Sequence, residues 1–174
     1  MQATERRELG HIILSHGLES GPNATKISRL AAIAETLGWR TRRPDYSDLP
    51  DPQARLQRLQ ELAQATPTER LLLVGSSIGA CISARVSLQV PVKGLFLLAP
   101  PIIMPDQPTL DLRAPQVQLV HGWKDELIPA EELLGYASLQ AWPTLMLDDD
   151  HRLGASIDAI SLCFRHFLSV AAKL

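Results

Sequence analysis

Short apolar runs alternate along this chain with longer segments in which apolar residues recur every third or fourth position. Gly10-His11-Ile12-Ile13-Leu14-Ser15 is the first run, and its nearly continuous apolar character predicts a strand buried on both faces. Over residues 25–37 the apolar positions are Ile27, Leu30, Ala31, Ala34 and Leu37, a helical spacing that Gly38 ends. Residues 39–44 form a weaker, basic strand candidate suited to a sheet edge. Asp51 is placed to cap a helix whose apolar face carries Leu56, Leu59, Leu62 and Ala63. Residues 70–74 read as the central strand, and 78–88 as a helix of small residues that can pack closely on a sheet. Further strands are predicted at 93–98, 116–120 and 144–147. A short helix is expected at 131–137. A closing helix is expected at 155–170, with Ile157, Ile160, Phe164, Phe167 and Leu168 on its apolar side.

Strands therefore alternate with helices at nearly every step. That alternation predicts an α/β three-layer sandwich, a parallel sheet of about six strands with helices on both faces. The predicted spatial order is second, first, third, fourth, fifth, sixth. Right-handed crossovers then gather the loops that follow the strands at one edge. No internal repeat or linker interrupts the pattern, so residues 1–174 are expected to form one domain.

Composition narrows the partners. With 17 basic and 19 acidic residues the net charge is -2, which gives no electrostatic case for nucleic acid. No apolar run reaches the roughly 18 residues of a membrane span, and the start MQATERRELG lacks the apolar core of a secretion signal. A cytoplasmic location is the expectation. Cys81 and Cys163 lie far apart in helix-like surroundings and read as reduced core thiols.

The chemistry concentrates at Leu71-Leu72-Leu73-Val74-Gly75-Ser76-Ser77-Ile78-Gly79, where an apolar run enters a Gly-x-Ser-x-Gly turn and a helix pattern leaves it. Such a turn exposes a serine hydroxyl at the carboxyl end of the sheet, with the next N–H, that of Ile78, free to face a developing oxyanion. A serine hydroxyl is a poor nucleophile at neutral pH and needs a base, which in turn needs an orienter. His151, beyond the sixth strand in Asp148-Asp149-Asp150-His151, is the base candidate. Asp125, beyond the fifth strand in Val120-His121-Gly122-Trp123-Lys124-Asp125, is the orienter, with Glu126 its neighbouring competitor. A second oxyanion donor is expected in the loop after the first strand, at Leu18 N–H, where Gly17 would let the chain approach the reacting centre. The loop Ala99-Pro100-Pro101-Ile102-Ile103-Met104 either offers an apolar wall beside Ser77, through Pro100 and Ile102 together with Leu127, or is simply buried.

Other readings are weaker. His16 and His121 flank glycines at strand ends and suit local hydrogen bonding, while His11 and His166 fit no catalytic spacing. Asp148, Asp149 and Asp150 read as solvated. No His-Glu-x-x-His pair or comparable set points to a metal, and no Lys-Ser/Thr pair follows the glycines as a phosphate loop would need. Cys81, one helical turn past Ser77, reads as a packed thiol.

Ser15-His16-Gly17-Leu18, Gly75-Ser76-Ser77-Ile78-Gly79, His121-Gly122-Trp123-Lys124-Asp125-Glu126-Leu127-Ile128-Pro129 and Asp150-His151 together resemble the α/β-hydrolase superfamily. The compact length and the SHGLESGP loop resemble its small capless bacterial esterase-like members. The resemblance implies a serine hydrolase with Ser77 as nucleophile, Asp125 as acid and His151 as base, cleaving carboxylic esters or thioesters of a small or medium acyl substrate without a cofactor. An amidase or carbon–carbon hydrolase on the same fold, and a non-catalytic binding or interaction domain, are the competing readings. Two departures from the superfamily pattern are Ala80, where many members have a second glycine, and a start too short for their N-terminal strand hairpin. The segment between the fourth and fifth strands is too short for a cap, so an open site is expected.

Overall fold

The computed structural model describes residues 8–103 and 109–174. In chain order its elements are β1 (Gly10–Ser15), α1 (Thr25–Thr36), β2 (Trp39–Arg42), α2 (Pro52–Gln64), β3 (Leu71–Ser76), α3 (Ile78–Ser87), β4 (Gly94–Leu98), β5 (Gln116–Gly122), α4 (Ala130–Gln140), β6 (Thr144–Leu147) and α5 (Ile157–Ala171). Every strand pairing is parallel, and the sheet order is β2-β1-β3-β4-β5-β6. This is the order predicted from the alternation, with β3 inside the sheet and the basic β2 at an edge.

Successive strand side chains point to opposite faces, and that rule sorts the core into two layers. Ile13, Leu71, Leu73, Leu95, Leu97 and Leu119 face α2, α3 and α4, where Leu59, Ala80, Ala84 and Leu133 meet them. Ile12, Leu14, Leu72, Val74, Phe96, Leu98 and Val120 face α1 and α5. Phe96 sits edge-on to Phe164 at 4.9 Å and to Phe167 at 5.3 Å between ring centroids. Burying each such ring contributes about 1.5–3 kcal/mol. Sheet and helices therefore form a minimal three-layer α/β sandwich.

Local signals set the helix starts. Asp51 accepts hydrogen bonds from Gln53 N–H at 3.1 Å and Ala54 N–H at 3.3 Å, and Pro52 occupies the first turn of α2. Two helices differ from the sequence expectation. α4 runs on to Gln140, past the last buried position at Ala137, and stops where Ala141 turns left-handed at φ 55°. Its final turn is exposed, so no apolar periodicity marks it. α5 begins two residues later than expected, because Gly154, Ala155 and Ser156 belong to the approach from β6.

Among the described residues no helix is long and apolar enough to cross a membrane.

Candidate active site

Ser77 stands between β3 and α3 with φ 55° and ψ -120°, a backbone conformation that costs a non-glycine residue energy. The surroundings enforce it. Ser77 N–H donates to Leu98 O of β4 at 2.8 Å, and the first turn of α3 closes on Ser77 O through Ala80 N–H. The glycines on either side are required by close approach. A Cβ on Gly75 would lie 2.2 Å from Gly79 O, and one on Gly79 would lie 2.2 Å from Ser15 O. Ala80 is fully buried against the core, so the departure from a second glycine leaves α3 seated on the sheet.

Three side chains from three loops meet at this turn. His151 Nε2 is 3.0 Å from Ser77 Oγ, and His151 Nδ1 is 2.7 Å from Asp125 Oδ2. Asp125 has a fully buried side chain, while that of His151 is 19% exposed. The carboxylate is oriented from its other oxygen, where Asp125 Oδ1 accepts from Leu127 N–H at 2.9 Å and Ile128 N–H at 2.8 Å. Glu126 is exposed and takes no part. A hydroxyl, an imidazole and a buried carboxylate in one hydrogen-bonded line form the arrangement that moves a proton off serine as it attacks a carbonyl.

The loops carrying these groups are tied down individually. Trp123 N–H donates to Leu147 O and Lys124 N–H to Asp149 O, lacing the end of β5 to the segment that leads to His151. Lys26 Nζ, from the first turn of α1, donates to Arg152 O on the far side of His151. Asp148 and Asp150 are exposed as expected, but Asp149 is buried. Its Oδ1 accepts the Asp150 N–H at 2.8 Å and so helps turn the loop, which is why it is not solvated.

On the opposite side of Ser77 lies the loop after β1. His16 is fully buried, and its Nε2 accepts the Tyr46 N–H at 3.0 Å. The proton therefore sits on Nδ1, which donates to Gly17 O at 2.8 Å. Burial lowers the pKa of this ring, as it does that of His121. Among the described residues neither Leu18 N–H nor Ile78 N–H has a hydrogen-bond partner within the protein. Gly17 is not sterically required as a glycine: a Cβ there would lie 3.6 Å from Ser76 O and 3.7 Å from Ser77 Cβ, which are ordinary contacts.

A cavity of about 280 Å³ opens beside the serine, lined by Ser77, Pro101, Ile102, Ile103, Leu127, Ile128, Glu132 and His151. Ile102 and Leu127 line it. Pro100 does not: it is buried beneath the loop, and Pro101 faces the cavity in its place. Cys81 holds that proline, its thiol donating to Pro101 O at 3.2 Å, and burial pushes the thiol up to about 12. Met104 lies outside the described residues. A second cavity of about 500 Å³, bounded by Leu112, Arg113, Gln116 and Trp142, lies at the amino-terminal ends of β5 and β6, away from the serine.

Sequence reasoning missed Arg55. It projects from α2 into the interior with 2% exposure and meets the loop after β1. The signal was its spacing: Arg55, Leu59 and Leu62 fall on one helical face.

Fold and site together define a serine-hydrolase arrangement in the α/β-hydrolase superfamily, with no cap among the described residues. Residues 11–112 match the family described as "Uncharacterised protein family (UPF0227)", and the chain belongs to it. A crystal structure from Xanthomonas campestris pv. campestris, of a protein assigned as a hydrolase of the alpha/beta superfamily, is 46% identical. It matches with a TM-score of 0.89 over 92% of this chain and 99% of that one. An α/β serine hydrolase without a lid, also from Xanthomonas campestris, is 20% identical with a TM-score of 0.73, over 93% of this chain and 82% of that one. Alpha/beta hydrolase domain-containing protein 10 from mouse is 18% identical with a TM-score of 0.76, over 91% of this chain and 89% of that one. At these lower identities the likeness speaks for the fold alone. No curated protein matches the sequence.

Proposed function

We propose that residues 1–174 form one capless domain that hydrolyses a carboxylic ester or thioester with a small or medium acyl group, through an acyl-enzyme. The observation that carries this reading is the hydrogen-bonded line Ser77–His151–Asp125 at 3.0 and 2.7 Å, opening directly on an apolar cavity. Ser77 Oγ attacks the acyl carbonyl while His151 Nε2 takes its proton, and Asp125 holds the Nδ1 proton toward itself. Ile78 N–H and Leu18 N–H receive the oxyanion. Collapse of the tetrahedral species expels the alcohol or thiol, which takes the proton from His151. Water then repeats the sequence against the acyl-serine and releases the acid.

The walls speak to the acyl group. Ile102, Ile103, Leu127 and Ile128 favour an apolar chain, and Glu132 supplies a carboxylate that disfavours an anionic one. Leu127 is 74% exposed and Ile103 67%, so among the described residues nothing roofs the cavity and the distal part of the substrate meets few contacts.

Hydrolysis of p-nitrophenyl esters of increasing chain length by wild type and Ser77→Ala tests the reading, alongside labelling with a fluorophosphonate. Wild type should turn over short esters and label. Ser77→Ala should do neither, with its thermal melt unchanged, because the hydroxyl contributes little packing. Equal rates in the two proteins would remove Ser77 from the mechanism.

A further inference from the structure

The guanidinium of Arg55 is a buried cation with no carboxylate in ion-pair contact among the described residues. It is satisfied by backbone instead. Arg55 Nε donates to Leu49 O at 2.6 Å, Nη1 to Gly17 O at 3.2 Å, and Nη2 to Tyr46 O at 3.1 Å and Leu18 O at 3.4 Å. The Tyr46 ring packs below it, 5.6 Å from the guanidinium carbon to the ring centroid. Burying an arginine on carbonyls is expensive, since burial outweighs the attraction of Asp45 and Asp48, neither of which reaches it as an ion pair. A leucine at this position would satisfy the apolar face of α2 without that cost. The arginine's specific effect falls on the two consecutive carbonyls that flank Leu18.

Gly17 O is the centre of this arrangement. It accepts from Arg55 Nη1 at 3.2 Å, from His16 Nδ1 at 2.8 Å and from Ser20 Oγ at 3.4 Å. The oxygen of Gly17 and the N–H of Leu18 belong to the same peptide group. A peptide is planar and trans, so its C=O and N–H point in opposite directions. Fixing the oxygen from one side fixes the N–H on the other. Donors gathered on the oxygen, one of them charged, also draw electron density toward it and make the N–H a stronger donor. The peptide runs beside the serine, with a Cβ on Gly17 reaching within 3.7 Å of Ser77 Cβ.

We infer that Arg55, together with His16, is a positioning residue that aims and polarises Leu18 N–H toward the oxyanion of the transition state. The inference rests on the assignment of Leu18 N–H as an oxyanion donor proposed above. Arg55 touches no substrate. It acts through one peptide group, so its effect belongs to the transition state rather than to substrate binding.

The test uses the full chain, p-nitrophenyl acetate as substrate and a trifluoromethyl ketone as the probe that forms a tetrahedral adduct on serine. Arg55→Met should lower kcat by about 10- to 100-fold, less than the 10²- to 10³-fold of removing an oxyanion donor outright. KM should stay within about threefold, and ketone affinity should fall by the same factor as kcat/KM. Arg55→Lys keeps the charge and should recover part of the loss. A folded Arg55→Met with wild-type kcat and ketone affinity overturns the inference, as does a loss confined to KM. If Arg55→Met does not fold, Arg55→Lys is read on the same quantities, and a folded lysine variant with wild-type kcat and ketone affinity overturns it. Wild type carries its own readout: ketone binding should move the Leu18 amide proton downfield in ¹⁵N-resolved NMR, and an unmoved resonance overturns the inference. Those outcomes leave ester hydrolysis standing. A wild type that neither hydrolyses esters nor labels at Ser77 removes both readings.

Discussion

The catalytic edge carries two His–Gly pairs, His16-Gly17 after β1 and His121-Gly122 at the end of β5, and the same dipeptide does different work in each. Both histidines are fully buried. His16 is satisfied at both nitrogens, accepting from Tyr46 N–H and donating to Gly17 O. His121 is satisfied at one. Its Nε2 donates to Ile128 O at 2.9 Å and also lies 3.5 Å from Asp125 Oδ2, whereas its buried Nδ1 has no partner among the described residues. The glycines reverse the contrast. Gly17 has room for a methyl group, but a Cβ on Gly122 would lie 2.3 Å from Asp149 O and 2.7 Å from Asp150 O. After β1 the histidine is the brace and the glycine is replaceable. At β5 the glycine is the fixed part, and the histidine stands behind the carboxylate that orients His151.

Asp125 is where the β5 side should break most severely. In Asp125→Asn the side-chain oxygen can still accept Leu127 N–H and Ile128 N–H, so the loop keeps its shape. The amide nitrogen then faces His151 Nδ1 and can only donate. His151 is driven to the tautomer with its proton on Nε2, which cannot accept from Ser77. Turnover of p-nitrophenyl acetate should fall by about 10⁴, with little change in the thermal melt. A loss below tenfold would mean that Asp125 does not set the tautomer.

The glycines give the next largest effect. Gly122→Ala forces the backbone at 149 and 150 to move, immediately before His151. Overpacking of this kind costs about 1–3 kcal/mol, and a displacement of about 1 Å at the base can cost 10² in rate. Gly17→Ala should change stability by about 1 kcal/mol or less. Urea unfolding and kcat of the two variants measure the contrast directly, and equal destabilisation would erase it.

The contrast also marks how far the sequence could be read. Strand order, the turn at Ser77 and the positions of Asp125 and His151 were legible because each follows from local pattern: an apolar run, a turn signal, and a place just beyond a strand. Both histidines were legible as structural groups from the glycines beside them. What distinguishes the pairs was not legible. The bond from Tyr46 N–H to His16, the grip of Arg55 on Gly17 O and the contact of Gly122 with Asp149 O each join segments whose approach depends on the packed fold. The exchange of Pro100 for Pro101 in the cavity wall has the same origin, since which of two adjacent prolines faces out depends on how the loop leaves β4.

Replacing the histidines themselves should cost stability without the displacement of His151 expected for Gly122→Ala. His16→Phe keeps the ring volume but removes two hydrogen bonds and leaves the buried Tyr46 N–H without an acceptor, at about 1–3 kcal/mol. His121→Phe removes one principal bond, and its Nδ1 had none to lose, so it should cost less. Urea midpoints at pH 8, where both rings are neutral, give the comparison. A costlier His121→Phe would reverse the assignment of brace.

The smallest effect expected is the dependence of stability on pH. Burial lowers the pKa of both rings below the ordinary value of 6.5. For His16, Arg55 adds to the lowering while Gly17 O and Asp45 oppose it. For His121, His151 adds to the lowering while Ile128 O and Asp125 oppose it. Each ring therefore binds a proton more readily in the unfolded chain than in the folded one. Where the unfolded state holds more protons, stability rises with pH. The contribution of each neutral ring is fully present above about pH 6.5, and it is lost as pH falls from there through the lowered pKa of the folded state. Unfolding free energy measured by urea between pH 8 and pH 5 should be flat above 6.5 and decline below it. The decline should be shallower in His16→Phe and in His121→Phe, each of which deletes one titrating ring. Protonated His16 could not accept from Tyr46 N–H, so its ring should lose a hydrogen bond as well as gain a buried charge. Protonated His121 would carry a new Nδ1–H with no acceptor among the described residues, but it would lose no existing hydrogen bond and keep Nε2–H beside Asp125. The slope should therefore relax more in His16→Phe than in His121→Phe, and the opposite ranking would show that the β5 histidine is the more tightly held of the two.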